Sequence, residues 1–213
     1  MLQIVVMARW PSPGRCKRRL SHDLGNVLGL SNSSERATRI QQRLTQHTAA
    51  VVRNLADGME IQPVLAVSGL GFSAARRWGN NLGLPLVRLQ GKGTLGTRLR
   101  RQLMHGHRHA RACLVIGTDL PELNPDDLKQ AIDRLQTHDL VLGPASDGGY
   151  WLLGIGGSLI HGPQHWPLIG IPWGGPTVLD ATLSAARTHR IPTTLIAKRN
   201  DLDHWSDLRP WQG

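Results

Sequence analysis

Asp119 follows an apolar run, Leu114-Val115-Ile116, and precedes Leu120-Pro121 and a marked helix start. That order puts one carboxylate at the mouth of a sheet. Open α/β folds bind ligands beyond the carboxyl ends of their strands, so an acid there is placed to hold a divalent metal against a phosphorylated substrate. The plain alternative is an aspartate that only ends a strand.

Three loops and one C-terminal segment carry the other candidates. Arg9-Trp10-Pro11-Ser12-Pro13-Gly14-Arg15-Cys16-Lys17-Arg18-Arg19-Leu20 follows the first apolar run, and its five cations can neutralise a diphosphate. It lacks the glycine spacing of a Walker loop or a dinucleotide fingerprint, and a solvated basic loop is the competing reading. Gln90-Gly91-Lys92-Gly93-Thr94-Leu95-Gly96-Thr97-Arg98 turns into a helix with little side-chain bulk, so its amides can approach a base or phosphate closely, unless the glycines merely shape the turn. Ala145-Ser146-Asp147-Gly148-Gly149 suits a tight hairpin, and at the same sheet edge Asp147 would meet a metal, a sugar hydroxyl or an acceptor. In Asp201-Leu202-Asp203, Asp203 is either a second metal ligand, since one carboxylate rarely holds a divalent ion alone, or a helix cap before Trp205.

The elements that must position these groups alternate. Leu2 to Ala8 is a nearly continuous apolar run, the pattern of a strand buried on both faces. Ser33 to Asp57 has helical spacing, Ile61 to Val67 reads as a strand, Ser73 to Leu82 as a helix and Pro85 to Leu89 as a short strand. Leu95, Leu99 and Leu103 share a helix face, and Ala112 to Ile116 is the strand leading to Asp119. Asn124-Pro125-Asp126-Asp127 combines a capping side chain, proline in the first turn and acids favoured by the helix dipole. Asp139 to Gly143 and Gly149 to Ile155 form an antiparallel pair, Pro176 to His189 a helix and Pro192 to Ala197 a last strand. The expectation is one domain over residues 1–213, an α/β Rossmann-like layer structure with a mostly parallel sheet, one reversed strand and helices on both faces.

Net charge is +10, and no acidic residue lies between Glu60 and Asp119. An anionic partner is indicated. With one Tyr, one Phe and no zinc-finger or aromatic RNA-recognition signature, a nucleic acid is the weaker choice than a nucleotide. No apolar run approaches the roughly eighteen residues of a membrane span and Met1 to Ala8 lacks the basic-then-apolar-then-cleavage order of a signal peptide, so a soluble, cytoplasmic protein is expected. Cys16 and Cys113 lack metal or redox spacing, and His105, His107 and His109 read as a solvated helix end. No nucleophile-elbow serine or Cys/His pair is present. Nothing in the sequence sets the oligomeric state.

In sequence order, Pro13-Gly14 with Lys17 and Arg19-Leu20, Gln90-Gly91 with Leu95-Gly96 and Arg98, Gly117-Thr118-Asp119-Leu120-Pro121, Leu142-Gly143-Pro144-Ala145 with Asp147-Gly148-Gly149-Tyr150, and Trp173 with Thr182 resemble one group. It is the bacterial glycosyltransferase-A-like family of radical-SAM/selenodomain-associated transferases, related to 2-phospholactate guanylyltransferase. The resemblance covers nearly the whole chain and implies a nucleotide-diphospho-sugar transferase fold. It makes Asp119 the metal-binding acid and Asp203 the second one, with Mg or Mn as the ion. Lys17 and Arg19 match the family's first-loop basic residues and join Asp119 as catalytic candidates. Arg9, Gly14, Arg15, Lys17, Arg19, Gln90, Gly91, Gly96 and Arg98 are then candidates for the nucleotide, and Asp147, Gly148, Gly149 and Trp173 for the acceptor. The family usually has lysine near Arg9, threonine at Arg18 and an acid at Thr94; the last departure removes a polar contact from the second loop. Glycosyl transfer from a nucleotide-sugar to a small-molecule acceptor is the leading expectation, since some members act as glycosyltransferases in arsenosugar formation. Nucleotidyl transfer to a phosphorylated acceptor is the alternative, and nucleotide binding without turnover the third.

Overall fold

The computed structural model describes residues 1–211. Seven strands form one sheet in the order β3-β2-β1-β4-β6-β5-β7: β1 (Leu2–Arg9), β2 (Ile61–Ser68), β3 (Val87–Leu89), β4 (Ala112–Ile116), β5 (Leu140–Pro144), β6 (Tyr150–Ile155) and β7 (Thr193–Leu195). All neighbours run parallel except β6, which is antiparallel to both β4 and β5. One reversed strand is what the close spacing of β5 and β6 predicts, because a short turn cannot return a chain to parallel pairing.

The helices are α1 (Arg18–Asn26), α2 (Ser33–Ala56), α3 (Phe72–Asn81), α4 (Leu95–His107), α5 (Pro125–Arg134) and α6 (Val178–Thr188), with 3₁₀ turns at Leu159–His161 and Trp205–Trp211. β1 explains why there is a core on each face of the sheet. Leu2, Ile4, Val6 and Ala8 point into a core with α2, α3 and α5, while Val5 points into a second core with α4 and α6. A strand covered on both faces has no reason to alternate with polar residues, hence its apolar run. Asn124 caps α5 reciprocally with Asp127, each side chain meeting the other's backbone amide at 3.1 Å. No helix among the described residues is long and apolar enough to cross a membrane.

Gln3 breaks the apolar pattern of β1 and is satisfied within the fold, its side chain bonding to Gln62 and Arg88. Cys113 lies beside Arg88, and burial pushes its thiol up to about 12. A raised pKa means that folding holds the thiol protonated, so this contribution to stability is complete below the unfolded value near 9 and is lost as pH climbs towards 12. Cys113 should therefore stay unalkylated by iodoacetamide at pH 8 in the native protein and react once urea unfolds it. Peptide mass spectrometry with and without urea tests this, and native-state labelling of Cys113 would contradict it.

Candidate functional site

The order of the strands fixes where a cleft must open. From β1 the chain moves outward through β2 to β3 and then returns to place β4 on the other side of β1. The connections after β1 and β4 both pass to the face covered by α2 and α5, and a crevice opens between them at the carboxyl ends of the two strands, bounded by Lys17 and Asp119. The first loop leaves from β1 and Asp119 follows β4, so two of the sequence candidates face each other across that crevice.

Lys17 is bent into it by the backbone. The residue is left-handed, at φ 45° and ψ 47°, and immediately precedes α1. A lysine in this conformation is strained by about 1–2 kcal/mol, which the surrounding contacts must outweigh. Its ammonium lies 2.7 Å from Asp119 Oδ1 and 3.1 Å from Asp203 Oδ1, with the side chain only 3% exposed. Burial opposes the charge, but Asp119 and Asp203 outweigh it and hold the Lys17 pKa above its ordinary value. Arg19 reaches Asp203 Oδ2 at 3.2 Å.

Five hydrogen bonds hold the acids in place. Gln41 of α2 donates to the Thr118 hydroxyl at 3.0 Å, fixing the turn before Asp119. The backbone amide of Leu202 donates to the Asp119 carbonyl at 2.9 Å, so the segment after β7 crosses the sheet edge directly over β4. Leu202 is buried, while Asp201 and Asp203 on either side of it are partly exposed. Asp207, not Asp203, caps the following turn by accepting from the amides of Asp203 and His204, which leaves the Asp203 carboxylate to the lysine. Asp23 of α1 accepts from the Trp205 amide at 3.1 Å and ties the same segment down from below.

Two cavities meet at Asp119. One, of about 390 Å³, is bounded by Arg9, Arg15, Lys17, Arg18, Arg19 and Asp203. The other, of about 300 Å³, is lined by Leu95, Leu99, Tyr150, Trp151, Arg98 and Asp201 among others. Asp201 was not singled out from the sequence, although its place two residues before Asp203 is the signal that could have found it. Burial, with Asp119 and Asp147 nearby, pushes its carboxyl up to about 7. Because the folded pKa exceeds the unfolded one, its contribution to stability is complete below about pH 4 and disappears as pH rises through 7, a loss of up to about 4 kcal/mol. In EDTA the wild type should thus lose stability between pH 4 and 8, and Asp201→Asn should flatten that slope in urea melts; parallel slopes would refute it.

The remaining candidates are positioned as follows. Gln90 is buried and its amide nitrogen is committed to the carbonyls of Ala8 and Ala66, clamping the ends of β1 and β2. Gly91, at φ 75°, packs against the Arg101 guanidinium, and Gly96 lies so close to the Trp173 indole that a Cβ would overlap it. Trp173 is edge-on to Tyr150, with centroids 6.2 Å apart, and so supports a wall of the second cavity. Arg98 lines that cavity and bonds to the Gly93 carbonyl, and Arg9 closes the first loop onto the Arg15 carbonyl at 3.0 Å. The Gly14 amide donates to Ser34 of α2 at 2.7 Å. Asp147 is exposed and accepts from the Gly149 amide at 2.9 Å, while Gly148 lies against the Pro176 carbonyl. One expectation is corrected: His107 is not a solvated helix end, because its Nδ1 bonds to the Ile160 carbonyl at 2.8 Å and its ring packs against Trp166.

Among the described residues no three His, Cys, Asp or Glu side chains converge to ligate an ion by themselves. Asp119 and Asp203 nonetheless meet on one ammonium, in an all-oxygen donor set that fits Mg or Mn once phosphate and water oxygens complete the shell.

No curated protein matches the chain in sequence. Solved structures do match it in fold. A candidate nucleotide-diphospho-sugar transferase from Desulfovibrio desulfuricans G20 superposes with a TM-score of 0.81 at 22% identity, over 100% of this chain and 88% of that one. A nucleotidyl transferase from Methanothermobacter thermautotrophicus gives 0.63 at 16% identity, over 100% and 96%. Glucosyl-3-phosphoglycerate synthase from Mycobacterium tuberculosis, in complex with Mn2+, UDP and glucosyl-3-phosphoglycerate, gives 0.58 at 10% identity, over 94% and 70%. The fold is that of the nucleotide-diphospho-sugar transferases, and residues 48–175 match the model of DUF2064, described as uncharacterized proteins conserved in bacteria, so the chain belongs to that family.

Proposed function

We propose that the protein is a divalent-metal-dependent transferase that moves a sugar from a nucleotide-sugar donor to a small-molecule acceptor. The observation that carries this reading is the convergence of Lys17, Arg19, Asp119 and Asp203 at the crevice between β1 and β4. Asp119 and Asp203 would hold the metal, which supplies positive charge against the departing diphosphate. Lys17 and Arg19 stabilise the same developing charge as the bond from the anomeric carbon to the β-phosphate oxygen breaks. The acceptor oxygen forms the new bond, and its proton passes to the Asp147 carboxylate. The second cavity, with its Tyr150 and Trp151 walls beside Asp201, supports an uncharged ring next to the polyphosphate. The Mycobacterium synthase of the same fold, bound to Mn2+ and UDP, agrees with this assignment.

Nucleotidyl transfer is the second reading, favoured by the charge around the first cavity. Arg9, Arg15, Lys17, Arg18 and Arg19 all line it, more positive charge than a diphosphate needs and suited to a triphosphate that expels pyrophosphate. The nucleotidyl transferase neighbour supports it equally. Product analysis separates the two. The protein is incubated with manganese, a panel of nucleotide-sugars or nucleoside triphosphates, and a mixed pool of small acceptors. Nucleoside diphosphate release supports glycosyl transfer, pyrophosphate release supports nucleotidyl transfer, and tight binding with neither product leaves a binding protein.

A further inference from the structure

The Lys17 ammonium occupies the position between Asp119 and Asp203 that a shared cation would take, 2.7 Å from one carboxylate and 3.1 Å from the other. It is held there by the fold. The left-handed backbone at Lys17 aims the stem inward, and the side chain is 3% exposed. Arg19, 3.2 Å from Asp203, adds a second cation. Two cations on two carboxylates leave no net charge at the pair to attract a bare divalent ion, which would also have to approach the ammonium. Asp201 also faces this group, near Asp119, Asp147, Lys17 and Asp203, but neither Asp201 nor Asp147 contacts Lys17 within ion-pair distance.

The cavity that contains this pair is also lined by Arg9, Arg15 and Arg18. A polyphosphate there would offer Lys17 new oxygens within the same cavity, and a four-carbon stem can redirect its ammonium without moving the loop. We propose, building on the metal-transferase reading, that Lys17 is a tethered counter-cation that excludes bare divalent ions, so that the site takes its donor as a preformed metal–polyphosphate complex. The polyphosphate draws the ammonium off the carboxylates and the metal replaces it on them. Metal and nucleotide then strengthen each other's binding by the same factor.

The test is binding, not turnover. Manganese is titrated into the protein alone, following the electron paramagnetic resonance signal of the free ion, and then with ADP, GDP, CDP or UDP present. Wild type should bind bare manganese weakly, and at least one nucleoside diphosphate should raise that affinity by roughly tenfold or more. Lys17→Met should bind bare manganese roughly tenfold or more tighter than wild type, and most of the nucleotide's enhancement should vanish. Lys17→Arg, which keeps the charge, should resemble wild type. Equal affinity of wild type and Lys17→Met for bare manganese, with the metal–nucleotide complex still binding, would overturn the exclusion while leaving the transferase reading standing. Should Lys17→Met not fold, tight binding of bare manganese to wild type, unchanged by every nucleotide, overturns it equally. No manganese or nucleotide binding in any arm removes the transferase reading and this inference together.

Discussion

Asp119→Asn should lower turnover by about a thousandfold while leaving the fold intact, the size of effect expected when a charged group that stabilises a transition state through a metal is neutralised. The variant keeps the shape of the residue and its backbone carbonyl, which accepts from Leu202 and anchors the C-terminal segment. Lys17 would retain Asp203 at 3.1 Å, so the buried ammonium is not left alone and stability should fall by only about 1–2 kcal/mol. Steady-state rates with the identified donor, beside a urea melt, separate the two quantities. Asp203→Asn and Asp201→Asn complete the experiment. If Asp119 and Asp203 hold the metal, Asp203→Asn should match the loss and Asp201→Asn should not. A silent Asp203→Asn with an inactive Asp201→Asn would move the second ligand two residues upstream. Normal turnover in Asp119→Asn would end the metal-dependent mechanism altogether.

The sequence was legible wherever one physical demand dominates. Burial on both faces makes β1 an uninterrupted apolar run, helical spacing marks α2, and reciprocal capping marks the start of α5. Helix α1 escaped because it has none of these marks. It buries only Leu20 and Leu24, begins with two arginines and is preceded by a left-handed lysine with no side-chain cap. What forms it is the tertiary contact of those leucines with α2 and with Leu202, a contact that no local window contains. The same limit applies to the site. Lys17 and Asp203 were each nameable, but their pairing spans 186 residues and becomes visible only once the segment after β7 is laid across β4. Glycine gave the most ambiguous signal. Gly91 and Gly96 mark places where bulk is excluded, and in the fold Arg101 and Trp173 fill those places.

Gly148→Ala should be the most destabilising of the glycine substitutions around the site, by about 3 kcal/mol or more, combining a left-handed backbone with a clash that cannot relax cheaply. The residue has φ 88°, and its new Cβ would overlap the backbone carbonyl of Pro176. That carbonyl belongs to the segment entering α6, whose Leu179 amide in turn donates to the Gly148 carbonyl at 2.9 Å. The clash and the hydrogen bond act on the same two segments, so relieving one stretches the other. Gly96→Ala meets an obstacle of a different kind. Its Cβ strikes the Trp173 indole, a side chain that can turn, so a loss of about 1–2 kcal/mol with a changed tryptophan emission is expected. Gly58→Ala, with ordinary backbone angles and nothing within 4 Å, is the control and should stay within about 0.5 kcal/mol of wild type. Urea midpoints for the three variants should therefore rank Gly148→Ala lowest, and a Gly148→Ala as stable as the control would show that the turn is free to move. The functional consequence follows from the same geometry. Asp147 is held by its bond to the Gly149 amide, so a displaced turn carries that carboxylate away from the acceptor side, and the surviving folded fraction should turn over more slowly at saturating donor.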